Sequence, residues 1–218
     1  MARRTDSRRR MVDAAVELFR AQGYHATGLN QLVAKGRAPK GSMYFHFPGG
    51  KEQLAVEAMR ESAGRVRELL RGAADAAPDA ATAVALVIDA LATELLDTDF
   101  RCGCPLATVA LEAAARSEPI AAACAEGYRS WREAIAERLT RQGFAAAPAA
   151  ALATVVLASI EGALLLARAE RDLTALRQVR EHLITTINAT RPIDAARDRA
   201  ESPDRAEPLH RAEPKELD

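Results

Sequence analysis

Aromatic residues are scarce in this 218-residue chain. Phe, Trp and Tyr together make up 4% of it, so aliphatic and alanine side chains must fill its core. Close-packed helices tolerate that composition, whereas strands favour β-branched and aromatic residues, which excludes an all-β fold. Apolar residues recur every three to four positions along most of the chain, and this spacing predicts an all-α fold of about nine helices.

Cysteine is also rare, and the amino terminus contains no apolar signal core. The three cysteines, Cys102, Cys104 and Cys124, are too few and odd in number for a disulfide framework, so we expect a reduced, cytoplasmic protein. The one candidate membrane span, residues 143–160, carries no charge, but it is rich in alanine and is followed at once by Glu161. We therefore expect a buried helix and no membrane partner.

An excess of charge of one sign is absent overall, because 30 Lys and Arg residues balance 30 Asp and Glu residues. Residues 1–51 nevertheless hold ten basic and three acidic residues, a net charge of +7 that the remainder cancels. Residues 191–218 contain four prolines and mixed charges, which predicts a disordered tail. The predicted organisation is a basic module at 1–50, a helical domain at 51–190 and the tail.

Within the basic module, two short helices joined by a turn at residues 35–38 have the proportions of a helix-turn-helix. Thr27 is the expected N-cap of the first. The second begins with Lys40, Gly41 and Ser42, whose small size lets backbone approach the bases in a major groove. Lys40 is the natural reader of a base edge or a phosphate.

An alternation of rings follows this second helix. Phe45 and Phe47 are expected to point inward, while Tyr44 and His46 point outward and donate to phosphate. Lys51 and the free amides at the start of the fourth helix form a further phosphate site. Alternatively, Tyr44 and His46 are ordinary surface residues next to a turn, but the spacing of the whole segment favours DNA binding.

This segment resembles the DNA-binding domain of the TetR/AcrR family of bacterial transcriptional regulators. The family pattern is Lys-Gly-Ser/Thr-x-Tyr-x-His-Phe followed by a Lys-Glu helix start, and the matching residues are Lys40, Gly41, Ser42, Tyr44, His46, Phe47, Lys51 and Glu52. Together with GCPLATVALE at residues 103–112, PKGSMYFHFPGGKEQL resembles the LmrA/YxaF-like branch. In the turn, Arg37 stands where the family usually has glycine, so Arg37 either occupies a strained or shifted turn or reaches the DNA.

The resemblance implies a dimeric DNA-binding regulator, most commonly a repressor that a small hydrophobic or aromatic effector releases from a palindromic double-stranded operator. The expected DNA contacts are Thr27, Arg37, Lys40, Gly41, Ser42, Tyr44, His46 and Lys51. Residues 149–189 are expected to form two helices at a homodimer interface, or alternatively to be internal core.

An effector pocket is expected where apolar walls meet a few polar tips in the helical domain. Its candidate residues are Leu91, Leu95, Thr108, Leu111, Tyr128, Trp131 and Ile135, with Leu106 and Val109 as further wall. Two other functions stay open: a regulator switched by oxidation of Cys102, Cys104 or Cys124, and a helical carrier or enzyme. The sequence carries no phosphate loop, metal-ligand motif or nucleophile elbow, so we expect no catalysis, no metal and no cofactor.

Overall fold

A computed structural model describes residues 2–39 and 41–190 of the chain. Within these residues all regular structure is helical, which confirms the all-α prediction. The helices, in chain order, are α1 (Ala2–Ala26), α2 (Leu29–Lys35), α3 (Ser42–His46), α4 (Gly50–Ala76), α5 (Ala80–Asp97), α6 (Pro105–Ala113), α7 (Glu118–Arg141), α8 (Ala146–Glu170) and α9 (Thr174–Ala189). The predicted tail at 191–218 lies outside the described residues.

Two glycines shape the amino-terminal helices. Gly23 interrupts α1 with a φ of 86°, a conformation that only glycine adopts readily. Gly36 ends α2 with an ordinary φ of −72°, but a Cβ there would lie 3.0 Å from the side chain of Met11. The glycine of this turn is thus required by the close approach of α1, and the left-handed position falls on the next residue, Arg37, with a φ of 48°.

The predicted N-cap of α2 is wrong. Gly28 occupies the cap position, and its backbone amide donates to the Gln31 side chain across 2.9 Å. Thr27 is fully buried, and its hydroxyl donates to the carbonyl of Gly23 across 2.7 Å. The hydroxyl therefore holds the end of α1 and does not cap α2.

Helix α4 is the central element of the fold and packs against α1, α5, α6 and α7. Its approach to α7 is close at Gly127, where a Cβ would lie 2.5 Å from Leu106 of α6 and 3.0 Å from Ala63 of α4. Trp131, one turn further along α7, is buried and donates its indole N–H to the carbonyl of Ala63 across 2.9 Å. These contacts join α4, α6 and α7 firmly.

Helix caps explain where the next helices begin. Asp79 accepts a hydrogen bond from the Thr82 amide across 2.7 Å and starts α5, and Ser117 caps α7 in the same way through the Ile120 amide. α6 begins at Pro105, since proline suits the first position of a helix, and Cys104 is its N-cap.

Helix α8 is apolar on most sides and packs between α7 and α9. Its length and composition would allow it to cross a bilayer, and 33% of its most apolar 18-residue stretch is buried within the chain. On α9, the stripe of Leu176, Leu183 and Ile187 is buried against α5 and α8. These three side chains therefore belong to the core of their own chain, and the homodimer interface at residues 149–189 stays a prediction.

Two hydrophobic cores organise the described residues. One joins α1, α2 and α3 to α4, α6 and α7, and the other joins α5, α8 and α9 to the second half of α7. Because the first core contains residues on both sides of position 50, the amino-terminal helices share their packing with the helical body.

Candidate functional site

The candidate DNA-binding segment, residues 27–51, has a different outward face from the one predicted. Met43 and Phe47 are buried, whereas Tyr44 and Phe45 are 62% and 60% exposed. The predicted alternation of rings is wrong because residues 42–46 form a helix, so positions four apart share a face. Phe45 therefore joins Tyr44 on the surface, and the inward anchor is Met43 together with Phe47.

Two of the predicted contacts already have partners within the protein. His46 is joined to the hydroxyl of Ser7 by a 2.9 Å hydrogen bond, which ties α3 to α1. The ammonium of Lys51 lies 4.4 Å from the centre of the Tyr24 ring, a cation–π contact, and burial lowers the pKa of Lys51 while the charge of Glu112 opposes that shift. Both residues support the position of α3 and the start of α4.

The remaining predicted contacts differ in exposure. Arg37 and Gly41 lie on the surface, and Ser42 is half-buried. Thr27 is buried, so its side chain cannot reach a phosphate, which corrects its place among the expected DNA contacts. Lys40 lies outside the described residues.

A cavity of about 290 Å³, here called the central cavity, opens among α1, α4, α5, α7 and α8 and the segment before α6. Four of the seven predicted pocket residues line it: Leu91, Leu95, Trp131 and Ile135. Its other apolar wall residues are Val16, Val66, Leu69, Leu70, Val87, Pro105, Leu157, Ile160 and Leu164.

Three predicted pocket residues lie elsewhere. Leu111 is 82% exposed and Thr108 bonds the carbonyl of Cys104, and both face a separate groove between α6 and α8. Tyr128 lies behind the cavity wall, where its ring packs edge-on against Trp131 at 5.4 Å. The helical pattern of α6 and α7 identified apolar and polar positions but could not distinguish the cavity side of each helix.

Sequence reasoning missed the polar groups of the central cavity, which are Arg20, Ser62, Arg65, Glu94 and Glu161. Arg20 forms an ion pair with Glu94 and donates to the carbonyl of Gly103 across 2.7 Å. Although burial would lower the pKa of Arg20, the hydrogen bond and charge of Glu94 raise it. Glu161 could have been recognised from the sequence as a candidate cavity residue, because it is the first charged residue after the uncharged stretch at residues 143–160.

Glu161 sits beside two other buried groups, Cys104 and Tyr128. Burial raises the pKa of Glu161, and a hydrogen bond from the Cys104 thiol opposes this. Burial, reinforced by the Glu161 charge, raises the pKa of Cys104, and burial likewise raises the pKa of Tyr128. These groups are therefore held in their neutral forms more strongly than in water.

Two helices connect the central cavity to the DNA-binding segment. α4 begins beside Lys51 and lines the cavity about three to five turns later with residues 62–70. α6 begins at the cavity with Pro105 and carries Glu112, which accepts a 2.8 Å hydrogen bond from the backbone amide of His25 just ahead of α2. α4 and α6 therefore each extend from the central cavity to the DNA-binding segment.

Comparison with known proteins agrees with this geometry. Residues 11–58 match the family described as bacterial regulatory proteins, tetR family, and residues 80–182 match the LmrA/YxaF-like C-terminal domain of transcriptional regulators. The HTH-type transcriptional regulator LmrA of Bacillus subtilis is 38% identical over 174 residues, which are 80% of this chain and 93% of LmrA. The chain belongs to the TetR family.

Other relatives of this TetR-family chain cover it to a similar extent. The uncharacterized regulator YxaF of Bacillus subtilis is 38% identical over 84% of this chain and 96% of its own length. Among solved structures, a TetR regulator from Legionella pneumophila matches with a TM-score of 0.73 at 22% identity, covering 81% of this chain and 95% of that one. Like these relatives, the protein is a DNA-binding transcriptional regulator with a helix-turn-helix, and it is not an enzyme.

Proposed function

We propose that this TetR-family regulator is a homodimeric repressor that leaves a palindromic operator when a small, largely apolar effector enters the central cavity. The observation that carries the proposal is the course of α4, which begins at Gly50 shortly after α3 and forms one wall of the cavity. A ligand that prefers a shifted α4 would lower operator affinity, since it binds the DNA-incompetent arrangement more tightly.

For the operator side, α3 and the turn before it offer an exposed surface. Tyr44, Phe45 and Arg37 are exposed, so a hydroxyl, an apolar ring and a guanidinium are available to the grooves and phosphates of duplex DNA. Because helix-turn-helix dimers bind two half-sites about one helical turn apart, the operator is expected to be a palindrome.

For the dimer, the uncovered side of α8 supports an interface. Val155, Leu165 and Leu166 are exposed there, and the small residues Ala158 and Gly162 on the same helix are also exposed. Nothing lies within 4 Å of the position of a Cβ on Gly162, so a second helix could approach closely. We place α8 at the centre of the interface and the polar outer side of α9 beside it, within the predicted range 149–189.

The alternative of a thiol switch is less well supported. Cys104 is half-buried and Cys124 is buried. Burial raises the pKa of both thiols, that of Cys124 to about 11. The thiolate is the form that oxidants attack, so these two thiols are poorly reactive at neutral pH. A regulator of this kind acts on DNA in the cytoplasm, where such thiols remain reduced.

Selection of bound duplexes from a random pool tests the operator, and a panel of apolar compounds titrated against the selected complex tests release. We expect a palindromic consensus and at least one compound that lowers its affinity. A selection without any consensus would contradict the operator, and the absence of release by compounds that bind the cavity would contradict the repressor mechanism.

A further inference from the structure

We propose that the central cavity binds an apolar molecule carrying a protonated amine, with the ammonium group held by Glu161 and Ser62. The inference rests on the proposed effector function, which it refines by naming the chemical class of the ligand. It is carried by two buried polar atoms of the cavity wall and by the charge balance around them.

Both atoms lack a partner. Among the described residues, the Oγ of Ser62 and the Oε2 of Glu161 are buried side-chain atoms without a hydrogen bond, and both residues line the central cavity. Ser62 is only 3% exposed. Buried polar atoms in proteins are nearly always satisfied, so two such atoms in one cavity indicate a site that a polar group of a ligand completes.

The charge balance favours a cation. Arg20 is paired with Glu94, and Arg65 is paired with Asp13 and with Glu61. Each of these charged groups of the wall therefore already has an opposite charge. Glu161 forms no such ion pair within the described residues, where its neighbours are the neutral thiol of Cys104 and the phenol of Tyr128.

An ammonium group matches both unpartnered atoms, because it donates up to three hydrogen bonds and accepts none. Glu161 and Ser62 each offer an acceptor. In a cavity shielded from water, the attraction between an ammonium and a carboxylate is stronger than on the surface. An ammonium bound beside Glu161 also favours the ionised carboxylate and so opposes the effect of burial, whereas a neutral alcohol brings no compensating charge and a carboxylate would disfavour ionisation.

The body of the ligand must be compact and apolar. Apart from the polar groups named above, the wall is built from aliphatic side chains and the indole of Trp131. A volume of about 290 Å³ lies at the small end of the range for ligand pockets, which favours a molecule smaller than most drugs.

The test uses three probes with one hydrocarbon cage and different heads: 1-aminoadamantane, 1-adamantanol and 1-adamantanecarboxylate. Their binding to the full chain is measured by calorimetry and by the emission of Trp131, the one tryptophan of the sequence. We expect the amine to bind about tenfold more tightly than the alcohol, because hydrogen bonds to charged groups are stronger than neutral ones, and the carboxylate to bind most weakly.

Substitutions at Glu161 and Ser62 test whether these two residues cause the tighter binding of the amine. Glu161→Gln should bind amine and alcohol within about twofold of one another, and Ser62→Ala should weaken the amine by a few fold. Glu170→Gln, which changes an exposed residue on the same helix, should retain the parental order. Circular dichroism confirms that each variant is folded.

Equal binding of amine and alcohol to the parent, an unchanged preference in Glu161→Gln, or no binding of any probe would overturn the proposal. The effector function is judged separately by operator release. If the amine binds as expected but leaves the operator complex intact, the ligand class stands and the effector function fails. If only the alcohol binds and releases the operator, the effector function stands and the ligand class fails.

Discussion

The backbone amide of His25 donates a 2.8 Å hydrogen bond to the carboxylate of Glu112, which joins the end of α1 to α6. The His25 ring also lies 3.1 Å from the carbonyl oxygen of Glu112. Since α6 begins at the central cavity with Pro105, this pair gives the cavity a second connection to the DNA-binding segment besides α4.

Loss of the Glu112 carboxylate should weaken the coupling between effector and operator. In Glu112→Gln a neutral amide replaces a charged acceptor, so we expect the factor by which an effector lowers operator affinity to fall by about fivefold, within the usual range of coupling energies. Operator titrations with and without effector measure this factor. Glu118→Gln, an exposed change on α7, is the control, and an unchanged factor in Glu112→Gln would leave α4 as the sole route.

A side chain at position 23 should destabilise the same junction. Gly23 has φ 86° and ψ 174°, and a Cβ there would lie 1.9 Å from a carboxylate oxygen of Glu112. We expect Gly23→Ala to lower the free energy of unfolding by about 1 to 3 kcal/mol, measured by urea denaturation. Gly72→Ala is the matched control, because nothing lies within 4 Å of the Cβ position in this exposed helical turn and alanine favours the helix. Equal stability of the two variants would contradict the strain.

Sequence patterns were sufficient for the fold because its long helices repeat their apolar spacing over many turns. Proline and glycine are local signals of helix ends, and the structure has Pro105 and Gly50 at the starts of α6 and α4 and Gly23 at the break in α1. In contrast, α3 spans only five residues, too few to reveal whether its period is two or 3.6, and the outward face was therefore assigned incorrectly.

The central cavity could be predicted only in part. Trp131 and Leu95 were identifiable as large apolar residues of a helical body, but whether such a residue faces a cavity or a packed core depends on which helices meet. Glu161 is conspicuous in the sequence as a charge within an apolar helix, yet whether its Oε2 finds a partner depends on how α7 and the segment before α6 pack beside α8. Long-range contacts of this kind leave no local pattern.

Two substitutions distinguish kinds of DNA contact. Tyr44→Phe removes an exposed hydroxyl, so operator affinity should fall by about 0.5 to 1.5 kcal/mol if the hydroxyl donates to a phosphate. Lys51→Ala removes a charge from the start of α4, so the slope of log affinity against log salt should become shallower by about 0.9. Arg129→Ala, an exposed cation on α7, should change neither quantity. If both variants bind the operator with the affinity and the salt dependence of the parent, the proposed DNA contacts of Tyr44 and Lys51 are wrong.

A charge on the outer side of α8 should prevent dimerisation. Leu165 is 62% exposed, and in the proposed dimer it is buried against the partner subunit, where a carboxylate would be costly. We expect Leu165→Glu to sediment as a monomer at concentrations where the parent is a dimer. Leu86→Glu on α5, where the leucine is 42% exposed, should remain dimeric. Dimeric Leu165→Glu would move the interface away from this part of α8.

The stability of the protein should fall with rising pH through Glu161. Burial raises the pKa of this carboxyl above its ordinary value of 4.5, so the folded state retains a proton that the unfolded state has lost. The stabilising effect of that proton is complete below pH 4.5 and disappears as the pH rises through the raised pKa.

Cys104 and Tyr128, which face Glu161, have raised pKa values themselves and remain neutral over this interval. In Glu161→Gln no proton can be lost, so its melting temperature should exceed that of the parent by a margin that grows as the pH rises above 4.5. Thermal unfolding of both proteins across this range measures the margin. The melting temperature of the control Glu170→Gln should change with pH in the same way as that of the parent. A constant difference between Glu161→Gln and the parent would show that Glu161 does not titrate in this interval.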